Sequence, residues 1–181
     1  GMTSLLTEGE APEPISAGVV LVDITPRVEQ KGVDRIRAFM TARPDGFANL
    51  EEVADTIAEY IPHRPRPKDL SGLEKNLRKG EDGRYRWHWD PNMLNPARLR
   101  RDPERMLNAA RALRVPTLLI RGKLSDVISD ETSQEFLDAV PHAKYVNVSE
   151  AGHMVAGDKN DIFSRAVIDF LADMKAQAPA V

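Results

Sequence analysis

The run Gly18-Val19-Val20-Leu21-Val22-Asp23-Ile24 is the feature that most limits the folds open to this chain. Its apolar residues follow one another without alternation and are rich in β-branched types, which is typical of a strand covered on both faces in a parallel sheet. Similar runs occur at residues 116–121 and, more weakly, at residues 144–148. The sequence therefore predicts an α/β fold with a short, mainly parallel sheet.

Helical patterns flank these strands in the sequence. They lie at residues 2–9, 103–113, 130–140 and 161–175, and the last has apolar residues at helical spacing along its whole length. Residues 25–102 are too long for one crossover and contain helical patterns of their own at 33–42, 49–60 and, more weakly, 70–78. We therefore predict a core formed by residues 1–24 and 103–181, with residues 25–102 as a helical insertion over the sheet.

Composition excludes several classes of function. A net charge of −3 provides no basic surface for nucleic acid, and the absence of cysteine excludes disulfides, thiolate metal sites and a cysteine nucleophile. No apolar run is long enough to cross a membrane, and no signal peptide is visible, so we expect a cytoplasmic protein. The four histidines show no metal-ligand spacing. We predict neither a metal nor a cofactor.

Three segments resemble parts of one enzyme family. Residues 21–26 end the first strand as Leu-Val-Asp-Ile-Thr-Pro, residues 121–129 follow the second strand as Arg-Gly-Lys-Leu-Ser-Asp-Val-Ile-Ser, and residues 150–154 follow the third as Glu-Ala-Gly-His-Met. In this order they resemble the sixth strand, the acid loop and the histidine loop of an α/β-hydrolase with a cap domain. The resemblance implies a partial α/β-hydrolase fold in which residues 25–102 are the cap.

The resemblance also implies a catalytic histidine and a catalytic acid. His153 follows a strand on a glycine turn, and a histidine titrates near neutral pH, which suits a general base. Asp126 also follows a strand, and it is not needed as a helix cap because Ser129 or Asp130 can fill that place. We therefore assign the acid to Asp126. Asp23 is the alternative acid, although nearby Pro26 favours a structural turn there.

The family's nucleophile motif, G-x-S-x-G, is absent, since none of the eight serines has glycine two places away on both sides. Residues 2–9 look like the helix just past the nucleophile, so we expect the chain to lack the N-terminal half of a serine hydrolase of esters, lactones or related carbonyl substrates. We expect it to be inactive alone and to bind a small-molecule substrate only when completed. The alternative is a non-catalytic remnant that serves as an interaction or structural module.

Two further expectations concern binding. Trp87 and Trp89 belong to the chain's only aromatic cluster, and they are candidates either for lining the substrate pocket or for forming the local core of the insertion. The strand at residues 18–24 carries no lysine, proline or bulge to protect an open edge, so we expect a homodimer formed through it, the opening helix or both.

Overall fold

The computed structural model describes residues 1–94 and 102–177, in which the chain divides into two compact units. The first unit consists of Gly1–Val33 and Asp102–Val181, and the second of Asp34–Arg101. Residues 95–101 of the predicted insertion and 178–181 of the predicted core lie outside the described residues.

The described helices and strands alternate in the way the sequence predicts for the first unit. In chain order they are α1 (Met2–Gly9), β1 (Val19–Val22), α2 (Gln30–Thr41), α3 (Leu50–Tyr60), β2 (Leu77–Lys79), β3 (Tyr85–Trp87), α4 (Pro103–Arg111), β4 (Thr117–Gly122), α5 (Asp130–Ala139), β5 (Lys144–Val148), α6 (Val155–Asp158) and α7 (Asn160–Gln177). Short 3-10 helices lie at Ser71–Asn76 and Pro91–Leu94.

Three parallel strands form the sheet of the first unit, in the order β1-β4-β5. The central strand pairs Leu119 with Leu21 of β1 and with Tyr145 of β5. All six residues of β4 are buried, as expected for a strand with a neighbour on each side and cover on both faces. The predicted fold class, a short parallel sheet flanked by helices, is confirmed.

The core on one face of the sheet lies between the strands and α7. Leu118 and Ile120 of β4 form a buried cluster with Val148, Ala151, Val155 and Phe170, and half-buried residues of α7 pack against it. Side chains alternate across a strand, so Leu21 and Leu119 face the opposite side, where both are buried. Burial of such side chains on both faces provides the first unit with a hydrophobic core.

Helices α1 and α4 pack closely at the other side of the first unit. Leu5 of α1 and Ala110 of α4 are almost completely buried. A Cβ at Gly9 would lie 2.1 Å from the carbonyl oxygen of Ala109, so the close approach of the two helices requires glycine there. Asp102 accepts a hydrogen bond from the backbone N–H of Arg105 and caps α4, as the sequence predicts.

The second unit contains a hairpin that the sequence analysis did not predict. Strands β2 and β3 pair antiparallel, and Gly83 turns between them with a φ of 76°. Around it lies an aromatic cluster in which Trp87 stacks on Trp89 with 4.7 Å between the ring centroids. Phe39 and Phe47 also contact Trp87. These rings form one aromatic cluster within the second unit.

No helix among the described residues is both long and apolar enough to cross a membrane.

Candidate functional site

The carboxyl ends of the three parallel strands bring three loops together. The loop after β1 begins with Asp23, the loop after β4 contains Ser125 and Asp126, and the loop after β5 contains His153. Functional side chains of α/β proteins commonly lie at this edge of the sheet, because the loops that follow the parallel strands meet there. The candidate site therefore combines residues from both ends of the chain.

Asp23 is a fully buried carboxylate with a strained backbone. Its exposed fraction is 0% and its φ is 51°, in the left-handed region that few residues other than glycine adopt. Its backbone N–H continues the sheet by donating to Ile120 at 2.7 Å. A buried carboxylate and a strained backbone both cost free energy, and such positions occur mainly at functional sites.

Three donors hold the Asp23 carboxylate. The backbone N–H of Gly122 donates to Oδ1 at 2.9 Å, and the hydroxyl of Ser125 donates to Oδ2 at 2.5 Å. The third contact joins Oδ2 to Nδ1 of His153 at 2.8 Å. An ionised carboxylate only accepts, so this geometry fits a His153 ring that carries its proton on Nδ1 and leaves Nε2 unprotonated.

His153 is partly open to solvent, with 29% of its side chain exposed, while its carboxylate partner is completely enclosed. A histidine whose Nδ1 is held by a buried carboxylate keeps its ring orientation and its tautomer. Nε2 can then accept a proton from a group that approaches from the open side. The pair has the arrangement of a general base and its supporting acid.

The backbone before His153 is tied down at successive residues. The carbonyl of Ala151 accepts a hydrogen bond from the N–H of Leu124 at 2.8 Å, and the N–H of Gly152 donates to Oδ2 of Asp158 at 2.8 Å. Glu150 has a φ of 59°, and its carboxylate forms an exposed ion pair with Lys159, which lowers the pKa of Glu150. The loop thus has a fixed path from β5 to the histidine.

The structure places Asp23, and not Asp126, against His153. Asp126 is half-buried in the loop after β4, and its carbonyl oxygen lies against Gly32 of α2, where a Cβ would come within 2.1 Å of it. The carboxylate that contacts His153 is that of Asp23, the alternative acid of the sequence analysis. Asp23 reaches across the end of β4, where the N–H of Gly122 donates to Oδ1, and Oδ2 contacts the histidine on the far side.

All eight serines lie within the described residues, and none of their hydroxyls is hydrogen-bonded to His153 there. Ser125 is the one at the site, but its hydroxyl contacts the acid. Ser129 and Ser133 are used by α5, where the first is the N-cap and the second donates to the carbonyl of Ser129.

Trp87 and Trp89 lie in the second unit, where both are half-buried. Within residues 1–94 and 102–177, no group of three or more His, Asp or Glu side chains is placed to hold a metal ion.

Ser125 and Gly122 are site residues that sequence reasoning missed. Both lie in residues 121–129, the segment that resembles an acid loop. The sequence also places Ser125 directly before Asp126, a carboxylate that is not needed as a helix cap. Asp23 carried a clearer sign. It is a charged residue within an apolar strand run, and a buried charge must find partners in the folded state.

The chain is similar to esterases and other hydrolases. An esterase from Mycobacterium tuberculosis is 26% identical to it over 94% of this chain and 56% of the relative. The solved structure of an E-2-(acetamidomethylene)succinate hydrolase has a TM-score of 0.76 and 25% identity, over 93% of this chain and 62% of that one. An α/β-hydrolase from Novosphingobium aromaticivorans has a TM-score of 0.75 and 23% identity, over 95% of this chain and 62% of that one. No protein-family model matches.

The chain spans a little over half the length of the curated esterase and about three fifths of each of these two hydrolase structures. Both structural matches cover more than nine tenths of this chain. The chain is therefore similar to hydrolases of the α/β-hydrolase fold and has part of that fold.

Proposed function

We propose that this chain supplies the acid and the base of a serine hydrolase that acts on an ester, a lactone or a related carbonyl substrate. His153 is the general base and Asp23 is the acid that orients it. The observation that carries the proposal is the 2.8 Å contact between His153 Nδ1 and a completely buried Asp23 carboxylate. The similarity to esterases and hydrolases supports the same class of reaction.

In this mechanism Nε2 of His153 takes the proton of the attacking hydroxyl. The imidazolium that forms is stabilised by Asp23, which keeps its negative charge throughout. The proton is then given to the leaving group, as in other acyl-transfer enzymes with this pair. Ser125 and Gly122 contribute by holding the carboxylate.

The proposal places the nucleophile outside these 181 residues. No serine of the sequence lies in G-x-S-x-G, and Ser125, the serine at the site, contacts the oxygen of Asp23. We therefore expect the 181-residue chain to hydrolyse p-nitrophenyl acetate no faster than a catalyst-free solution. We also expect no serine of this chain to be labelled by a fluorophosphonate.

Trp87 and Trp89 stay candidates for substrate contact. They are stacked and only half-buried, so part of each ring is available to a ligand. Aromatic faces of this kind commonly line the apolar part of a small-molecule pocket. Their packing with Phe39 equally supports the role of a local core.

The test starts with the DNA immediately upstream of the codon for Met2. An in-frame G-x-S-x-G shortly before it is the expected result, and the extended protein should then be expressed. We expect that protein to hydrolyse p-nitrophenyl esters and to be labelled by a fluorophosphonate at the new serine. Asp23→Asn should lower kcat by about 10⁴-fold, as the equivalent change does in a serine protease.

Asp126→Asn is the matched control, because it changes a half-buried carboxylate of the neighbouring loop in the same way. Its kcat should stay within about tenfold of the unchanged protein, since its side chain is not the one bonded to His153. A larger loss of kcat in Asp126→Asn than in Asp23→Asn would show that Asp126 is the catalytic acid. A start codon at Met2 with no upstream motif would favour the alternative, a non-catalytic module.

A homodimer is part of the proposal for either role. Strand β1 pairs with β4 along one side, and in the described sheet its other side has no neighbouring strand. An edge of four consecutive apolar residues, with none of the usual protective features, favours pairing with a second copy.

A further inference from the structure

The side chain of Asp158 closes a small ring of backbone around His153. Asp158 is the last residue of α6, and its Oδ2 accepts the N–H of Gly152 at 2.8 Å. His153 is the next residue after Gly152, so it lies inside the ring that runs from Gly152 to Asp158. The backbone bonds of α6 lie beyond the histidine: the N–H groups of Gly157 and Asp158 donate to the carbonyl of Met154, and that of Lys159 donates to the carbonyl of Val155.

Gly152 needs this partner. It is buried, and a buried backbone N–H without an acceptor is costly. A carboxylate is a strong acceptor for such a group because the bond is charge-assisted. The contact therefore fixes the peptide that leads directly into His153.

The backbone segment from Gly152 to Asp158 cannot shift far towards the sheet. A Cβ at Gly122 would lie 2.2 Å from the carbonyl oxygen of Gly152 and 2.6 Å from that of Ala151, so the loop already touches the end of β4. On its other side Val155 is buried in the core. When the hydrogen bond to Asp158 is lost, the loop can still rotate about the backbone of Gly152 and His153. This rotation moves the imidazole of His153 away from Asp23.

We infer that Asp158 is a positioning residue that holds His153 against Asp23. The inference rests on the proposed function for its meaning in catalysis, but the pairing of the two side chains can be measured without any turnover.

The measurement uses the full 181-residue chain with ¹⁵N-labelled histidine. Nitrogen shifts of the neutral ring give the ratio of the Nδ1-protonated to the Nε2-protonated tautomer, and His153→Gln identifies the signals of His153. In the unchanged chain the Nδ1-protonated form should dominate, because that nitrogen donates to Asp23. Asp158→Ala should lower the ratio by about five- to tenfold, which corresponds to losing roughly one hydrogen bond.

Asp158→Asn separates the hydrogen bond from the charge. Its amide oxygen can still accept the N–H of Gly152, so the tautomer ratio should stay close to that of the unchanged chain. Glu150→Gln is the matched control within the same loop, because it breaks the exposed ion pair with Lys159 and leaves the ring intact. It should not change the ratio.

An unchanged ratio in folded Asp158→Ala would overturn the inference, and so would an equal loss in Asp158→Asn, since the charge and not the bond would then be responsible. If Asp158→Ala does not fold, Asp158→Ser takes its place, because the shorter hydroxyl does not reach Gly152. Absence of hydrolysis in the extended protein, with the tautomer effect intact, would reject the proposed function and leave this inference standing.

Discussion

At the scale of single residues, Asp23 meets two demands at one position. Its backbone has a φ of 51°, which aspartate, asparagine and glycine tolerate better than other residues. Its side chain must also supply a carboxylate to His153 and to the two other donors. Only aspartate satisfies both, since asparagine has one acceptor oxygen in place of two and glycine has none.

Gly122 is a second residue whose identity the site dictates. Gly122→Ala should destabilise the fold by about 1–3 kcal/mol, the usual cost of overpacking, because the new Cβ would meet two backbone oxygens that cannot rotate away. Urea denaturation measures the change. Gly72→Ala is the control, since a Cβ there meets no heavy atom within 4 Å. Equal stability of the two variants would show that the histidine loop yields more easily than its contacts suggest.

At the scale of elements, α1 and α4 are joined by an ion pair as well as by packing. Both oxygens of Glu10, directly after α1, accept from Arg105 of α4, at 2.5 and 2.7 Å. The hydrogen bonds from this guanidinium lower the pKa of the Glu10 carboxyl below its ordinary value of 4.5. Glu10 and Arg105 are 95 positions apart in the sequence, so the ion pair joins two distant parts of the chain.

We expect the Glu10 carboxyl to titrate at lower pH in the unchanged chain than in Arg105→Gln, where the pKa should return to about 4.5. Since the folded pKa lies below the unfolded one, the pair stabilises the fold fully above about pH 4.5 and loses this effect as pH falls through the lowered value. Carboxyl ¹³C shifts measure the titration. Arg111→Gln, which removes an exposed arginine from the same helix, should leave it unchanged.

The elements of the first unit were predictable because their patterns are strong. Runs of apolar residues such as 18–24 and 116–121 have few alternatives to a buried strand, and Asp102 and Ser129 are good helix caps. The hairpin of β2 and β3 was missed because its strands have three residues each and include Arg78, Lys79 and Arg86. Such short, charged strands show no alternation, and what defines them is their pairing with each other and the bridge from Tyr85 to Phe47.

The choice between the two candidate acids was open in the sequence for a related reason. Asp126 and Asp23 both follow a strand, so sequence position alone fits either, and Pro26 suggested a turn role for Asp23. The choice depends on which carboxylate the strand register turns towards His153, and register is set by packing of the whole sheet. The prediction of His153 as the base rests on a glycine turn after β5; in the structure the turn lies at Ser149 and Glu150, where Glu150 has a φ of 59°.

At the scale of the whole molecule, self-association is the expected consequence of the free side of β1. We predict a two-fold dimer at micromolar concentration, with β1, α1 or both at the interface. Light scattering should give twice the mass of the 20.2 kDa chain. Amide exchange across Val19–Val22 should slow as the protein concentration rises, because the pairing protects these groups. A single-chain mass with fast exchange at every concentration would contradict the prediction.

The separation of 130 residues between Asp23 and His153 has a consequence for how the chain folds. During synthesis the carboxylate leaves the ribosome long before its partner, and β4, which lies between β1 and β5 in the sheet, is made in the interval. Until the last third of the chain has been made, Asp23 has no histidine to share its charge, and burying it would cost free energy. Its burial therefore belongs to the final, cooperative stage of folding, so protection of this carboxylate from solvent would be a direct kinetic marker of the finished molecule.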